Sequence, residues 1–61
     1  MSKYQEDITK EFNEYIENNT KFFDKGNKAA SVRARKALLN LSKLCKEGRK
    51  EILEAKKTSS D

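Results

Sequence analysis

The sequence predicts an all-α fold, an antiparallel two-helix hairpin, on three observations. The chain of 61 residues has no proline and only two glycines, so it lacks the residues that turn a chain between β-strands. In both halves the apolar residues recur every three or four positions, which is the period of an amphipathic helix. Gly26-Asn27 is a turn-forming pair between the two periodic stretches. We therefore expect a single helical-hairpin domain over residues 1–61.

The first helix is predicted over about residues 3–24. Its apolar residues mark one helical face, and they are Tyr4, Ile8, Phe12, Tyr15, Ile16, Phe22 and Phe23. We interpret this face as core. Ser2, followed three residues later by Gln5, predicts a capping box at the start of the helix. Asn19 fills a gap on the face, where it either fixes the register or a dimer contact, or lies partly exposed at the edge.

The turn is predicted over residues 24–27 and the second helix over about residues 28–57. Gly26 suits a left-handed C-terminal cap, and Asn27 suits the N-cap of the next helix. Because short connections join antiparallel neighbours, the two helices should pack side by side. The polar residues 58–61 are expected to fray.

One stripe of the second helix is predicted to pack against the aromatic residues of the first. Its members are small or apolar: Ala30, Ala34, Ala37, Leu38, Leu41, Leu44, Cys45, Gly48, Ile52 and Ala55. Large side chains facing alanine and glycine can interdigitate. Cys45 is interpreted as a small core residue rather than a nucleophile.

The chain is short of material for a core, because only 34% of its residues are hydrophobic and 39% are charged. With one cysteine and no histidine, neither a disulfide nor a zinc site can supply the missing stability, and no cofactor is predicted. We therefore expect the hairpin to dimerise into a helical bundle. The single thiol, and an N-terminus without an apolar signal region, predict a cytoplasmic location.

Charge is segregated between the two halves of the chain. Residues 1–24 hold three lysines against six acidic residues, whereas residues 25–61 hold eleven Lys or Arg against four. On the second helix the cations gather opposite the packing stripe, at Lys28, Arg35, Lys36, Lys43, Lys46, Lys50 and Lys57. Val32, Leu39, Glu47 and Glu54 also lie on this side, so the surface is not purely cationic. The pattern favours either a polyanion partner or charge pairing between chains.

The stretch Lys25-Gly26-Asn27-Lys28-Ala29-Ala30-Ser31-Val32-Arg33-Ala34-Arg35 resembles the short bacterial histone-like proteins of the linker-histone type. The resemblance covers about residues 24–57 and is weaker in the first helix. It implies double-stranded DNA binding without strong sequence preference, a role in organising the nucleoid, and contacts at Lys25, Lys28, Arg33, Arg35 and Lys36. Longer members continue into an Ala-, Lys- and Pro-rich tail. Here the sequence ends in Lys56-Lys57 and four neutral or acidic residues, so compaction by a tail is not carried over.

The resulting hypothesis is a histone-like protein that contacts duplex phosphates through its basic helix. The candidate DNA-binding residues are Lys25, Lys28, Arg33, Arg35, Lys36, Lys43, Lys46, Lys50 and Lys57. The alternative is a helical protein-interaction module, such as an adaptor or small regulatory subunit. A role at a membrane surface ranks third, since the apolar stripe is rich in alanine and lacks Trp. Catalysis on a small-molecule substrate is rejected, because no histidine, activated nucleophile or phosphate-binding glycine loop is present.

Overall fold

The computed structural model describes residues 3–58 and contains two helices, α1 (Gln5–Lys25) and α2 (Lys28–Thr58). They pack along their length as an antiparallel hairpin, a rod with extents of 51 × 16 × 13 Å. The predicted all-α hairpin is confirmed. Ser2 of the expected capping box and the last three residues of the tail expected to fray lie outside the described residues. Within residues 3–58, neither helix has an apolar stretch long enough to cross a membrane.

The first turn of α1 differs in detail from the sequence prediction. The helix begins at Gln5, and Tyr4 occupies the N-cap position without a side-chain capping bond. Glu6 and Asp7 lie in this first turn, where negative charge favours the helix dipole. The backbone N–H of Lys3 donates to Glu51 Oε2 at 3.1 Å. The start of α1 is therefore held against the C-terminal part of α2.

The turn between the helices is shorter than the predicted residues 24–27, because α1 continues to Lys25 and only Gly26 and Asn27 separate the helices. Gly26 adopts the left-handed conformation with φ 67°, and its N–H donates to the carbonyl of Phe22 at 2.9 Å. Asn27 caps α2, because its Oδ1 accepts the N–H of Ala30 at 3.2 Å. The two residues thus end one helix and begin the next without a longer loop.

Alanine forms the contact between the two helices. Ala30, Ala34 and Ala37 are the buried apolar residues in the described part of the chain, at 0%, 6% and 2% exposure. Farther along, Gly48 lies under Ile8, and a Cβ added at Gly48 would meet Ile8 Cδ1 at 3.7 Å. Small residues on α2 therefore let α1 approach closely. At Gly48 a large side chain of α1 packs against a small residue of α2, as the sequence predicts.

The predicted core contains more residues than the hairpin buries. Phe12, Ile16 and Phe23 are exposed in the hairpin, Phe12 by 52% and Phe23 by 73%. The half-buried positions of α1 follow the series Tyr4, Ile8, Glu11, Tyr15 and Phe22, with buried Asn18 in register. Each exposed apolar residue of α1 follows one of these positions, about 100° farther around the helix. On α2, Leu38 and Cys45 lie at the edge of the contact and are exposed, so Cys45 is not a core residue. Ile52 and Ala55 lie on the same side of α2 as Ala34 and Ala37, but they are exposed because α2 extends past the start of α1.

Hydrogen-bonded polar side chains lie along one side of the contact between α1 and α2, and the sequence did not predict them. Asn18 is 3% exposed, and its Nδ2 donates to the carbonyl of Glu14 at 2.8 Å and to Glu14 Oε1 at 3.2 Å. Its Oδ1 accepts a hydrogen bond from Arg33 Nε at 2.8 Å. About two helical turns farther along this side, Asn40 Nδ2 donates to Glu11 Oε1 at 3.3 Å. Asn19 is half-buried, which fits the alternative that it lies partly exposed at the edge of the apolar face.

The two glycines should respond to alanine in opposite directions. Gly26→Ala should cost about 1 to 2 kcal/mol, because a residue with a Cβ is strained at positive φ although nothing obstructs the Cβ itself. Gly48→Ala should stabilise by about 0.5 to 1 kcal/mol, since its Cβ meets Ile8 at ordinary contact distance and alanine favours the helix. Urea unfolding followed by circular dichroism measures both. Equal effects of the two substitutions would contradict the assigned turn.

Asn18 and Asn19 offer a matched pair for the buried network. Asn18→Ala should cost about 1 to 3 kcal/mol, because it leaves the Arg33 and Glu14 groups without their partner. Asn19→Ala should change the unfolding free energy by less than about 0.7 kcal/mol, the range of helix propensity. The comparison uses the same unfolding assay. A loss at Asn19 as large as that at Asn18 would show that the helices pack in a different register.

Candidate nucleic-acid interface

The side of α2 turned away from α1 is a basic surface. It carries seven of the predicted contact residues, all exposed: Lys28, Arg35, Lys36, Lys43, Lys46, Lys50 and Lys57. We call these residues the basic face. Because alanine at positions 30, 34 and 37 fixes the opposite side of α2 against α1, the basic face is directed outward along the whole rod.

The positive charge is concentrated from the last residue of α1 to residue 46 of α2. Residues 25–46 contain seven Lys or Arg and no acidic residue. Beyond them, Lys50 pairs with Glu47 at 3.8 Å and Lys57 with Glu54 at 3.9 Å. In the described part of the chain, the cations of the basic face from Lys28 to Lys46 make no ion pair. The strongest positive potential therefore lies next to the turn, and the carboxylates weaken it toward the end of α2.

Two predicted contact residues lie off the basic face. Lys25 is in the last turn of α1, where its charge favours the helix dipole. Arg33 is directed toward α1 by its bond to Asn18 and is part of the structural network. Both side chains are exposed. Both residues are close in sequence to members of the basic face, but they do not belong to it.

A shallow depression on the polar side of the hairpin brings Arg33 and Lys36 close to Lys10 of α1. Its volume is about 400 Å³, and it is lined by Lys10, Glu11, Glu14, Arg33, Lys36, Ala37 and Asn40. Lys10 is a cation that the sequence analysis did not connect with the second helix. The periodicity of one helix cannot show which residue of another helix lies beside it. The two glutamates make this depression mixed in charge, unlike the basic face.

The opposite side of the hairpin is apolar. A depression of about 400 Å³ is lined there by Tyr15, Asn19, Phe22, Phe23, Ser31, Ala34, Arg35 and Leu38. The rings of Phe22 and Phe23 meet edge to face, with their centroids 4.9 Å apart. We call the exposed large residues on this side the apolar side face, and they are Phe12, Ile16, Phe23, Leu38 and Ile52.

Several acidic residues form a third surface, the outer side of α1. Glu6, Glu17 and Asp24 are exposed there, and Glu17 pairs with Lys21 at 3.2 Å. Acidic and basic surfaces thus lie on opposite sides of the rod. Within residues 3–58, no group of three or more acidic or thiol side chains is arranged to hold a metal ion.

Comparison with known proteins accords with this arrangement. The sequence model of one family, described as histone H1-like protein Hc1, matches residues 1–58. No curated protein and no solved structure matches the chain significantly. The match spans both helices, including α1, where the sequence resemblance was weaker. The chain belongs to the histone H1-like protein Hc1 family, a family of non-enzymatic, histone-like DNA-binding proteins.

Proposed function

We propose that the chain binds double-stranded DNA by placing the basic face of α2 along the phosphates, with little sequence preference, and so helps to organise the nucleoid. The observation that carries the proposal is the run of residues 25–46, with seven Lys or Arg and no acidic residue. All seven side chains are exposed. A duplex carries about one phosphate charge per 1.7 Å of axis, so an outward cationic helix meets several phosphates at once.

Charge neutralisation and release of counterions drive the binding in this proposal. Arg35 can donate two parallel N–H hydrogen bonds to one phosphate, whereas the lysines act as point charges. The basic face carries no Asn or Gln side chain to read an adenine edge. Asn40, the asparagine in the middle of α2, is half-buried and bonded to Glu11. The contacts therefore position the protein on the duplex without selecting a base sequence.

We also propose that two hairpins associate through the apolar side face. The buried core of one hairpin consists of three alanines, which supply little apolar area, while five large apolar residues on one side remain in water. Apolar groups gathered on one side of a small protein mark an association surface. The basic face lies about 100° from the apolar side face around α2, so a dimer formed in this way keeps both basic faces accessible.

The salt dependence of binding tests the phosphate mechanism. The logarithm of the association constant should fall linearly with the logarithm of salt concentration, with a slope near −0.9 for each phosphate neutralised. Four to eight contacts per dimer give about −4 to −7. Fluorescence anisotropy with random-sequence duplexes measures the slope. If the folded protein does not bind duplex DNA even at about 50 mM salt, where phosphate contacts are strong, the protein-interaction alternative replaces this proposal.

Charge reversal locates the interface. The double variant Arg35→Glu, Lys36→Glu should weaken binding to every duplex about equally and make the salt slope shallower, because at least one phosphate contact is lost and like charge is added. The control is Lys21→Glu, which reverses a lysine of α1 already paired with Glu17. Circular dichroism and sedimentation must show both variants folded and in the wild-type oligomeric state. Equal losses of DNA affinity in the control and the double variant would show that the interface does not lie on the basic face of α2.

The dimer has its own test. Sedimentation at micromolar concentration should show a dimer or larger assembly for the wild type, and Phe23→Asp should shift it toward monomer, because a buried unpaired carboxylate is costly. Thr20→Asp adds the same charge at an exposed position on the acidic side of α1 and should leave the assembly intact. A wild-type protein that remains a cooperatively folded monomer contradicts the proposed dimer.

A further inference from the structure

Two aliphatic side chains stand exposed in the middle of the basic face. Val32 is 64% and Leu39 57% exposed. Together with Arg35 and Lys36 they line a shallow depression of about 460 Å³ on the outer side of α2. Aliphatic groups gain free energy when a partner covers them, so this surface can supply apolar contact in addition to charge.

Neither the hairpin nor the proposed dimer covers these two residues. Both lie on the side of α2 opposite the alanine contact, so α1 does not reach them. The apolar side face is about 100° away around the helix, so a second hairpin bound there leaves them exposed. Their seven-residue separation is about two helical turns, or roughly 10.5 Å, so they project from the same side of the rod.

We infer that Val32 and Leu39 pack against deoxyribose rings of the duplex while the neighbouring cations hold its phosphates. This inference rests on the proposed DNA-binding function. Charge complementarity selects the partner, because Lys28, Arg35, Lys36 and Lys43 surround the depression without an acidic residue between them. A polyanion is drawn to this surface, and in DNA the groups next to each phosphate are sugar rings with apolar C–H edges. Sugars are common to all sequences, so the contact adds affinity without base selection.

The inference divides the affinity into two parts that can be measured separately. The cations determine the slope of the association constant against salt, because each neutralised phosphate releases counterions. The aliphatic side chains determine the association constant that remains when the plot of log association constant against log salt is extrapolated to about 1 M, where counterion release no longer contributes. A change at Leu39 should therefore move the extrapolated constant and leave the slope alone, whereas a change at Lys36 should alter the slope.

The test compares Leu39→Gln with Lys36→Gln, two substitutions to the same helix-favouring residue on the same surface. Leu39→Gln should lower the extrapolated association constant for duplex DNA by about three- to tenfold, the effect of leaving part of one leucine in water. Lys36→Gln should make the slope shallower by about 0.9. Leu39→Met, which keeps an apolar side chain, should lose less than Leu39→Gln. Binding to inorganic polyphosphate, a polyanion without sugars, should be the same for Leu39→Gln as for the wild type.

Any other outcome contradicts either the sugar contact or the proposed DNA-binding function. If Leu39→Gln leaves the extrapolated constant unchanged while Lys36→Gln changes the slope, the sugar contact is wrong and the proposed function stands. Equal losses for Leu39→Gln and Leu39→Met, or an equal loss on polyphosphate, also overturn it. If circular dichroism shows that Leu39→Gln is unfolded, the nearly isosteric Val32→Thr takes its place with the same expected direction. Failure of the wild type to bind any duplex overturns the proposed function itself, and the sugar contact with it.

Discussion

The close approach of α1 and α2 along Ala30, Ala34 and Ala37 determines what every other surface of this molecule can do. Alanine brings two helices together with little side chain between them, so the line of contact is narrow and bulky residues are displaced to its flanks. Where the contact continues past the alanines, Gly48 serves the same purpose under Ile8. The price is a small core, which leaves large apolar residues on one flank in water. The two flanks are therefore chemically different, one closed by the Asn18 network and the other open and apolar.

The same contact orients the charges. Once the alanines of α2 are fixed against α1, the residues on the far side of α2 point into solvent, and these include the cations, two glutamates and the aliphatic residues between them. The acidic outer side of α1 lies on the opposite side of the rod, so it does not neutralise the basic face within one hairpin. Intramolecular neutralisation is instead local to the end of α2, where Glu47 and Glu54 pair with lysines one turn away.

Sequence reasoning was successful for features that one helix determines by itself. The helical period, the Gly26-Asn27 turn and the outward position of the cations all follow from local chemistry, and the structure shows each of them. It failed where two helices meet. The apolar stripe of α1 is wide, and its periodicity does not say which edge faces alanine, so Phe12 and Phe23 were assigned to the core and buried Asn18 was overlooked. The side-chain partners of Arg33 and the neighbourhood of Lys10 depend on the interhelical register for the same reason.

A rigid basic helix and a flexible basic tail hold DNA under different constraints. A disordered tail loses conformational entropy when it binds, but it can follow the curved phosphate backbone. The helix holds its cations at fixed spacing before binding, yet the acid-free stretch of α2 from residue 28 to residue 46 is only about 27 Å long, less than one turn of duplex. Under the proposed phosphate mechanism, one hairpin would therefore reach only a few phosphates, and the length of the helix rather than its charge would limit the affinity. Joining two hairpins makes the second contact intramolecular and raises the affinity without any new cation. In the proposed dimer the apolar side face would thus contribute to DNA binding as directly as the basic face, because it would join two short helices that hold one duplex.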